Sequence, residues 1–336
     1  MRTTVQDLKP GPVDSTFLIT KAESAKTRAD KNYMRFTFAD VTGSVSGVDW
    51  SPTPERCALQ VGVVVPVKGK YSVDAAYGPQ IVIKEISHPL DTFNEVDFAA
   101  QCPNDMEEVG RCFEDLLETI DPVYAEFLRL MLDQEGDKSG DFWTAPAAHN
   151  LHQAYAGGLA EHSVQVADIA FTNAHWCPGL DGTVLVVAGL LHDIGKPIEY
   201  EGISREQTDI SKLVGNTTLS YQTACELFRV GMEMIPTLRS GERMDNIRHC
   251  IIAHHGRREW GSPVAPRTME AWLVHLADMV SSRIGGYQRL LRETPEGQKW
   301  TARDLMFEGQ LWIPQNPQGN QEVSFQEAFT FPENGV

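Results

Sequence analysis

The hydrophobic pattern of this chain changes once, near residue 91, from a period of two to a helical period. In Tyr33-Met34-Arg35-Phe36-Thr37-Phe38-Ala39-Asp40 the alternation sets Tyr33, Arg35, Thr37 and Ala39 on one face and Met34, Phe36 and Phe38 on the other. Residues 15–20 are short and β-prone, Asp40-Val41-Thr42-Gly43 is a turn signal, and 44–50 resumes the strand pattern. Residues 61–73 read as two β-rich pieces, and Tyr77-Gly78-Pro79-Gln80 turns into a last strand at 81–86. Five short strands without a long helix predict a small barrel. Helical spacing follows at 104–117 and 123–132, with Asp121-Pro122 as a start signal, and then at 159–176, 183–194, 209–230, 244–255 and 268–292. The polar end, with Pro314 to Asn320 as its most punctuated stretch, reads as loop-like or partly disordered. The fold class expected is a two-domain α+β chain, a β-barrel followed by an all-α bundle. Its divisions are a barrel over 1–90, a helical connector over 91–150, a catalytic bundle over 151–295 and a tail over 296–336.

At 336 residues, 42% hydrophobic and 22% charged, the chain has ample material for a packed core. The longest apolar run, 184–191, stops at His192-Asp193, so no membrane span is expected, and the first residues lack an apolar signal core. Six cysteines (57, 102, 112, 177, 225, 250) form no CxxC pair and read as reduced thiols of a cytoplasmic protein. The formal charge of −17 speaks against nucleic-acid binding until it is divided along the chain. Residues 1–90 carry 11 Lys+Arg against 9 Asp+Glu, a balance of +2, and the remainder carries −19. A mildly basic head can touch phosphates while an acidic body stays soluble.

Four helix-associated positions carry candidate chemistry. His162 opens the apolar stripe Val166, Ile169, Ala170; His192-Asp193 ends the run 183–191, with Gly195 as terminator; His254-His255 ends 247–253, before Gly256; Asp278 sits inside a helix with Thr268 as N-cap. A single histidine at the end of an apolar helix is more often a hydrogen-bonded structural residue. Recurrence of imidazole and carboxylate at the ends of successive core helices, which a bundle brings together, points instead to a metal centre. Nitrogen and oxygen donors without thiolate suit Zn, Mn, Fe or Ni rather than a structural zinc finger. Such an ion makes hydroxide available near neutral pH and polarises a phosphoryl oxygen.

At these residues the chain resembles the HD-domain phosphohydrolases, whose H…HD…D pattern His162, His192-Asp193 and Asp278 match. The segments Gly157-Gly158-Leu159-Ala160-Glu161-His162, Leu190 to Lys196, His254 to Pro263 and His275-Leu276-Ala277-Asp278 are similar to those of the YhaM-type 3′–5′ exoribonucleases. That family also carries an OB-fold ahead of its HD domain, and the likeness spans about 15–290. The resemblance implies a first metal bound by His162, His192, Asp193 and Asp278, with Asp193 able to bridge to a second. It implies that His254 and His255 supply that second metal or contact the scissile phosphate. Lys196 would neutralise phosphate charge, with a favourable interaction with the helix dipole as the equal alternative. His275, one turn before Asp278, reads as a packed residue. One departure stands out: where the pattern calls for a histidine after glycine, Lys212-Leu213-Val214-Gly215-Asn216-Thr217-Thr218 has Asn216. A neutral amide is a poorer transition-metal ligand than imidazole.

In the head, an OB-fold would bind single strands by pairing a basic groove with aromatic faces. Tyr33, Arg35, Trp50, Lys68, Lys70, Tyr71, Tyr77 and Lys84 are the candidates, while Phe36 and Phe38, sharing a face with Met34, belong in the barrel core. The function implied is a metal-dependent 3′–5′ exonuclease on single-stranded RNA, with DNA as second choice. Asp193, Lys196 and His255 form its catalytic set. The cofactor is a divalent ion, Mn²⁺ first, with Mg²⁺, Fe²⁺, Ni²⁺ and Zn²⁺ as the other candidates. No membrane partner is expected, and self-association fits the family. Two rivals stay open: an HD-type hydrolase of a small nucleotide, and a degenerate nucleic-acid-binding protein, for which Asn216 is the motive.

Overall fold

The period-two segments form strands β1 (Gly11–Lys26), β2 (Asn32–Asp40), β3 (Gly43–Asp49), β4 (Val64–Asp74) and β5 (Gly78–Ile86). In the computed structural model, which describes residues 2–27, 29–74, 78–94, 97–98, 102–133, 141–149, 151–201, 205–295 and 297–314, these close into a barrel in the order β1-β2-β3-β5-β4, the OB-fold arrangement. Among the described strands only β3 and β5 pair in parallel. β1 closes the sheet because it serves two neighbours: Gly11 to Leu18 pair with β4, and Leu18 to Lys26 with β2, across a register shift between Ile19 and Lys21. The inward residues Phe17, Phe36, Phe38 and Ile81 are fully buried, with the Phe36 and Phe38 rings stacked at 5.7 Å, so these two phenylalanines are barrel core. The segment 61–73, read as two pieces, is the single strand β4; the irregularity at its lysines is a bulge between Lys68 and Gly69 against β5, not a break. Asp40, buried at the predicted turn, accepts from the Val5 N–H and from the N–H and hydroxyl of Thr42. Tyr77 lies outside the described residues.

After a short α1 (Pro54–Cys57) inserted in the barrel, the helices are α2 (Met106–Glu118), α3 (Pro122–Met131), α4 (Gly158–Ala174), α5 (Gly182–Leu191), α6 (Lys196–Glu199), α7 (Asp209–Val214), α8 (Asn216–Met234), α9 (Glu242–Ala253) and α10 (Met269–Glu293). Asp105, Asp121 and Asp181 cap α2, α3 and α5, each accepting a backbone N–H two residues on. α5 is apolar all round, with residues 183–191 buried, and it forms the bundle axis on which α4 and α9 pack. The α4–α5 approach is backbone to backbone: a Cβ at Gly189 would fall 2.5 Å from Ala167 Cα.

Two helix expectations need correcting. The helix expected over 183–194 ends at Leu191, and His192-Asp193 fall in the turn leading to α6. The single helix expected over 209–230 is two, because Gly215 adopts φ +81° and ψ 150°, a conformation disfavoured for residues with a Cβ. Asn216 therefore starts α8 instead of sitting mid-helix. The chain divides into two compact units, Met1–Ser282 and Arg283–Val336. Within the second, Trp300 pairs with Trp312 and Asp304 with Gly309 through β-bridges, so 297–314 has more order than the loop expected there. The rest of that tail, 315–336, lies outside the described residues. Among the described residues no helix is long and apolar enough to cross a membrane.

Candidate metal centre and nucleic-acid face

Four segments deliver the candidate ligands to one place. His162 stands in the first turns of α4, His192 and Asp193 follow α5, His254 follows α9, and Asp278 projects from α10. His162 Nε2 lies 3.2 Å from His192 Nε2 and 3.2 Å from Asp278 Oδ1, and His192 Nε2 is 4.0 Å from the same oxygen. Asp193 Oδ2 is 3.6 Å from His192 Nε2, while its other oxygen, Oδ1, lies 3.6 Å from His254 Nε2. One carboxylate thus faces two sets of imidazoles.

The tautomers follow from the other ring nitrogens. Nδ1 of His192 lies 2.8 Å from the Gly189 carbonyl and Nδ1 of His254 lies 2.7 Å from that of Ile251. A carbonyl only accepts, so both protons sit on Nδ1 and both Nε2 lone pairs point into the site. Burial, opposed by the neighbouring carboxylates, depresses the His192 imidazole, and burial with His255 pushes His254 down to about 3. Burial would raise the Asp193 carboxyl, yet Lys196 and the imidazoles of His192 and His254 hold it below the usual range. Burial opposes ionisation of Asp278 too, but its hydrogen bond with His162 and the nearby imidazoles carry it well below that range. His192, His254, Asp193 and Asp278 are therefore deprotonated at neutral pH, as a metal requires.

This set fits a divalent ion. Asp193 Oδ1 and His254 Nε2 are buried with no hydrogen-bond partner, a costly state that a bound cation or a donor would relieve. His162, His192 and Asp193 also offer donor atoms all within 4.8 Å of one another.

Lys196 does not lie at a helix C-terminus; it opens α6. Its side chain is buried, with Nζ 2.8 Å from Glu199 and 3.7 Å from Asp193 Oδ2. Burial disfavours its charge, but Asp193 and Glu199 outweigh this and raise its pKa. It acts as the internal counter-ion of the cluster. His275 is packed, as expected: it is buried and donates from Nδ1 to the His254 carbonyl at 2.7 Å. His255 donates from Nδ1 to the Trp260 carbonyl at 2.7 Å, and its Nε2 lies 3.4 Å from Asn216 Nδ2.

Sequence reasoning missed the layer behind His162. Its Nδ1 lies 2.9 Å from Ser281 Oγ, whose hydroxyl donates to Gln165 Oε1 at 2.8 Å, and Gln165 Nε2 donates to Glu161 at 3.2 Å. Glu161 in turn accepts from Asn104 Nδ2 at 2.5 Å and from the Tyr155 hydroxyl. Ser281 and Gln165 each follow a ligand by three residues on the same helix face, a spacing that could have singled them out. His152, also overlooked, packs at a tilt with its ring centroid 5.1 Å from that of His162, and burial pushes its imidazole down to about 4.

On the barrel, Tyr33 and Trp50 meet on the outer face with ring centroids 4.9 Å apart, and Trp50 is 47% exposed. Arg56 fixes this corner by an ion pair with Asp49 at 2.9 Å and by donating to the carbonyls of Ser51 and Lys84. Arg35 on β2 and Lys84 on β5 are exposed, with β3 between their strands. Lys68 and Lys70 project outward from β4, which pairs with β5, and Lys68 faces Glu85 at 3.6 Å. Tyr71 is the exception to the expected face: the strand alternation turns it inward, half-buried against the barrel core, so its ring is no open stacking surface.

Comparison with known proteins agrees with both halves. Residues 159–283 match the HD domain family. Over 318 residues, 92% of this chain and 95% of the relative, the sequence is 25% identical to a protein named 3′-5′ exoribonuclease YhaM from Oceanobacillus iheyensis. Proteins of the same name from Halalkalibacterium halodurans and Shouchella clausii are each 29% identical, over 297 and 294 residues, covering 85% of this chain and 88% of the relative.

Proposed function

We propose that this chain is a metal-dependent 3′–5′ exonuclease that shortens single-stranded RNA, with the barrel holding the strand and the HD centre cutting its end. The observation that carries the reading is the convergence of His162, His192, Asp193 and Asp278. It occurs in a chain that matches exoribonuclease-named relatives through barrel and bundle alike. His162, His192, Asp193 and Asp278 would hold a divalent ion, Mn²⁺ in the first instance. Held there, the ion lowers the pKa of a coordinated water and polarises a phosphoryl oxygen.

The chain's own residues do the rest. Ser281 and the carbonyls of Gly189 and Ile251 fix the rings of His162, His192 and His254, so their lone pairs need no reorganisation. Lys196 balances the charge of Asp193, and its ammonium stands close enough to the centre to favour an approaching phosphate. His254 and His255 line the side toward which the second oxygen of Asp193 opens, in reach of a second ion or of the scissile phosphate. On the barrel, the Tyr33–Trp50 pair offers a stacking surface, with Arg35, Lys84 and Lys70 as cations for the backbone. Work in the cytoplasm, where the thiols stay reduced, and self-association belong to the same proposal. Met269, Trp272, Leu276 and Val280, exposed along one face of α10, support self-association.

The test is a time course on 5′-labelled single-stranded RNA with Mn²⁺, beside an Asp193→Ala variant and a chelator lane. A ladder shrinking from the 3′ end in the first lane alone is the expected result. RNA left intact by a folded, metal-loaded protein would refute the exonuclease reading and favour a small-nucleotide hydrolase.

A further inference from the structure

The two oxygens of Asp193 look onto unequal surroundings. Oδ2 shares its side with His192 and, beyond it, His162 and Asp278, four donors whose only outside partner among the described residues, through the atoms they present, is Lys196, 3.7 Å from Asp193 Oδ2. Oδ1 faces His254 Nε2 at 3.6 Å, and the His255 ring stands 4.5 Å from that of His254. A carboxylate oxygen and two imidazoles are the beginning of a second ion site.

Asn216 closes that beginning off. Because the Trp260 carbonyl accepts from His255 Nδ1, His255 Nε2 carries a lone pair. Asn216 Nδ2, 3.4 Å away, is the donor to that lone pair; the reversed amide would set oxygen against nitrogen, two acceptors face to face. The lone pair a second ion would need from His255 is thus held by a neutral amide. Asn216 is placed to do this by Gly215, whose positive φ ends α7 and starts α8 at the asparagine. What is left on this side, Asp193 Oδ1 and His254 Nε2, consists of two acceptors. A water molecule, donating to both, satisfies them without a second cation.

Resting on the metal-hydrolase reading above, we propose that Asn216 holds this centre to one resident divalent ion, bound by His162, His192, Asp193 and Asp278. The side of His254 and His255 then serves water rather than a second metal. The residue at 216 sets the ion count: an imidazole there would release His255 and add a ligand of its own, completing a second site.

The experiment counts ions and does not depend on turnover. Purified apo-protein is loaded with excess Mn²⁺, freed of unbound metal by gel filtration, and analysed for manganese per chain by mass spectrometry. The expected result is one ion for the wild type and two for Asn216→His. Electron paramagnetic resonance should show an isolated Mn²⁺ in the wild type and an exchange-coupled pair in Asn216→His. Should that variant fail to fold, Asn216→Asp, which supplies a carboxylate at the same place, is expected to give two ions as well. Two ions in the wild type, or one in every folded 216 variant, would overturn the proposal. No ion at all would overturn the metal reading beneath it, and one ion without RNA cleavage would overturn only the exonuclease assignment.

Discussion

Replacing Gly189 with alanine tests whether the close approach of α4 and α5 sets the geometry of the centre. The added methyl would lie 2.5 Å from Ala167 Cα, 2.8 Å from its nitrogen and 2.9 Å from its Cβ. Non-bonded carbons sit about 3.5–4.0 Å apart, so the helices must part by roughly 1 Å. Overpacking of this kind costs about 1–3 kcal/mol. Alanine recovers about 1 kcal/mol of it through its helix propensity, so the melting temperature should fall only slightly. The site should suffer far more. His162 rides on α4, five residues before Ala167, and His192 follows α5, three residues after Gly189; their Nε2 atoms are now 3.2 Å apart. Misplacing a reacting constellation by roughly 1 Å costs about a hundredfold in rate. The control is Gly231→Ala, whose methyl would meet the Phe127 ring at 2.6 Å. That clash lies fifteen residues into α8, about 22 Å along the helix from Asn216. Titrating Mn²⁺ into each variant calorimetrically, beside a thermal melt and the RNA time course, separates the two effects. Gly189→Ala should lose metal affinity and activity out of proportion to its stability, and Gly231→Ala should lose stability alone. Wild-type metal affinity and activity in a folded Gly189→Ala protein would refute the reasoning.

Other outcomes follow from the same geometry. Ser281→Ala, which leaves His162 Nδ1 without its partner, should weaken metal binding about 10–100-fold at near-normal stability, measured by competition with a fluorescent chelator. Lys196→Met removes a buried counter-ion from Asp193 and Glu199 and should destabilise the protein by roughly 3–5 kcal/mol in denaturant titrations. Trp50→Ala should weaken oligonucleotide binding by about 1–3 kcal/mol for the base it stacks, measured by anisotropy, while sparing hydrolysis of a small phosphodiester. His249 accepts the Arg267 N–H through Nε2, and burial together with Arg267 lowers its pKa. Since its folded pKa lies below the unfolded value of about 6.5, its contribution is full above that pH and lost as pH falls below it. Melting curves of the wild type should therefore drop more steeply below pH 6.5 than those of His249→Gln; parallel curves would remove His249 from the account.

The strands and helices were largely legible in the sequence because their signals are local. The alternation of Met34, Phe36 and Phe38 fixes the inner face of β2 whatever surrounds it, and Asp121-Pro122 starts α3 by capping chemistry alone. The motif positions His162, His192-Asp193, His254 and Asp278 could likewise be singled out, since each closes or interrupts an apolar helical run. What escaped the sequence depends on partners far along the chain. Lys196 reads as a helix-end lysine until Glu199 and Asp193 fold around it. Tyr71 passes for an exposed aromatic until β4 is seen as one strand whose alternation turns it inward. Ser281 and Gln165 belong to none of the motif segments, and their role exists through hydrogen bonds that join α4 to α10. The break at Gly215 looked like one more glycine in a helical stretch, yet its backbone conformation decides which way Asn216 faces.

The convergence of the proposed ligands from α4, the turn after α5, and α10 would tie a bound ion to the cooperativity of the whole bundle. His162 and Asp278 are separated by more than a hundred residues, so no fragment short of most of the helical domain can assemble the donor set. An ion that binds only the assembled set acts as a clasp across the chain, stabilising it by about 2.7 kcal/mol when present at a hundred times its dissociation constant. Without the clasp, the buried carboxylate of Asp193 and the half-buried carboxylate of Asp278 would repel each other across a shared space. Chelation should therefore lower the midpoint of unfolding of the helical domain, and the supply of metal would govern how long the protein survives proteolysis as well as how fast it works.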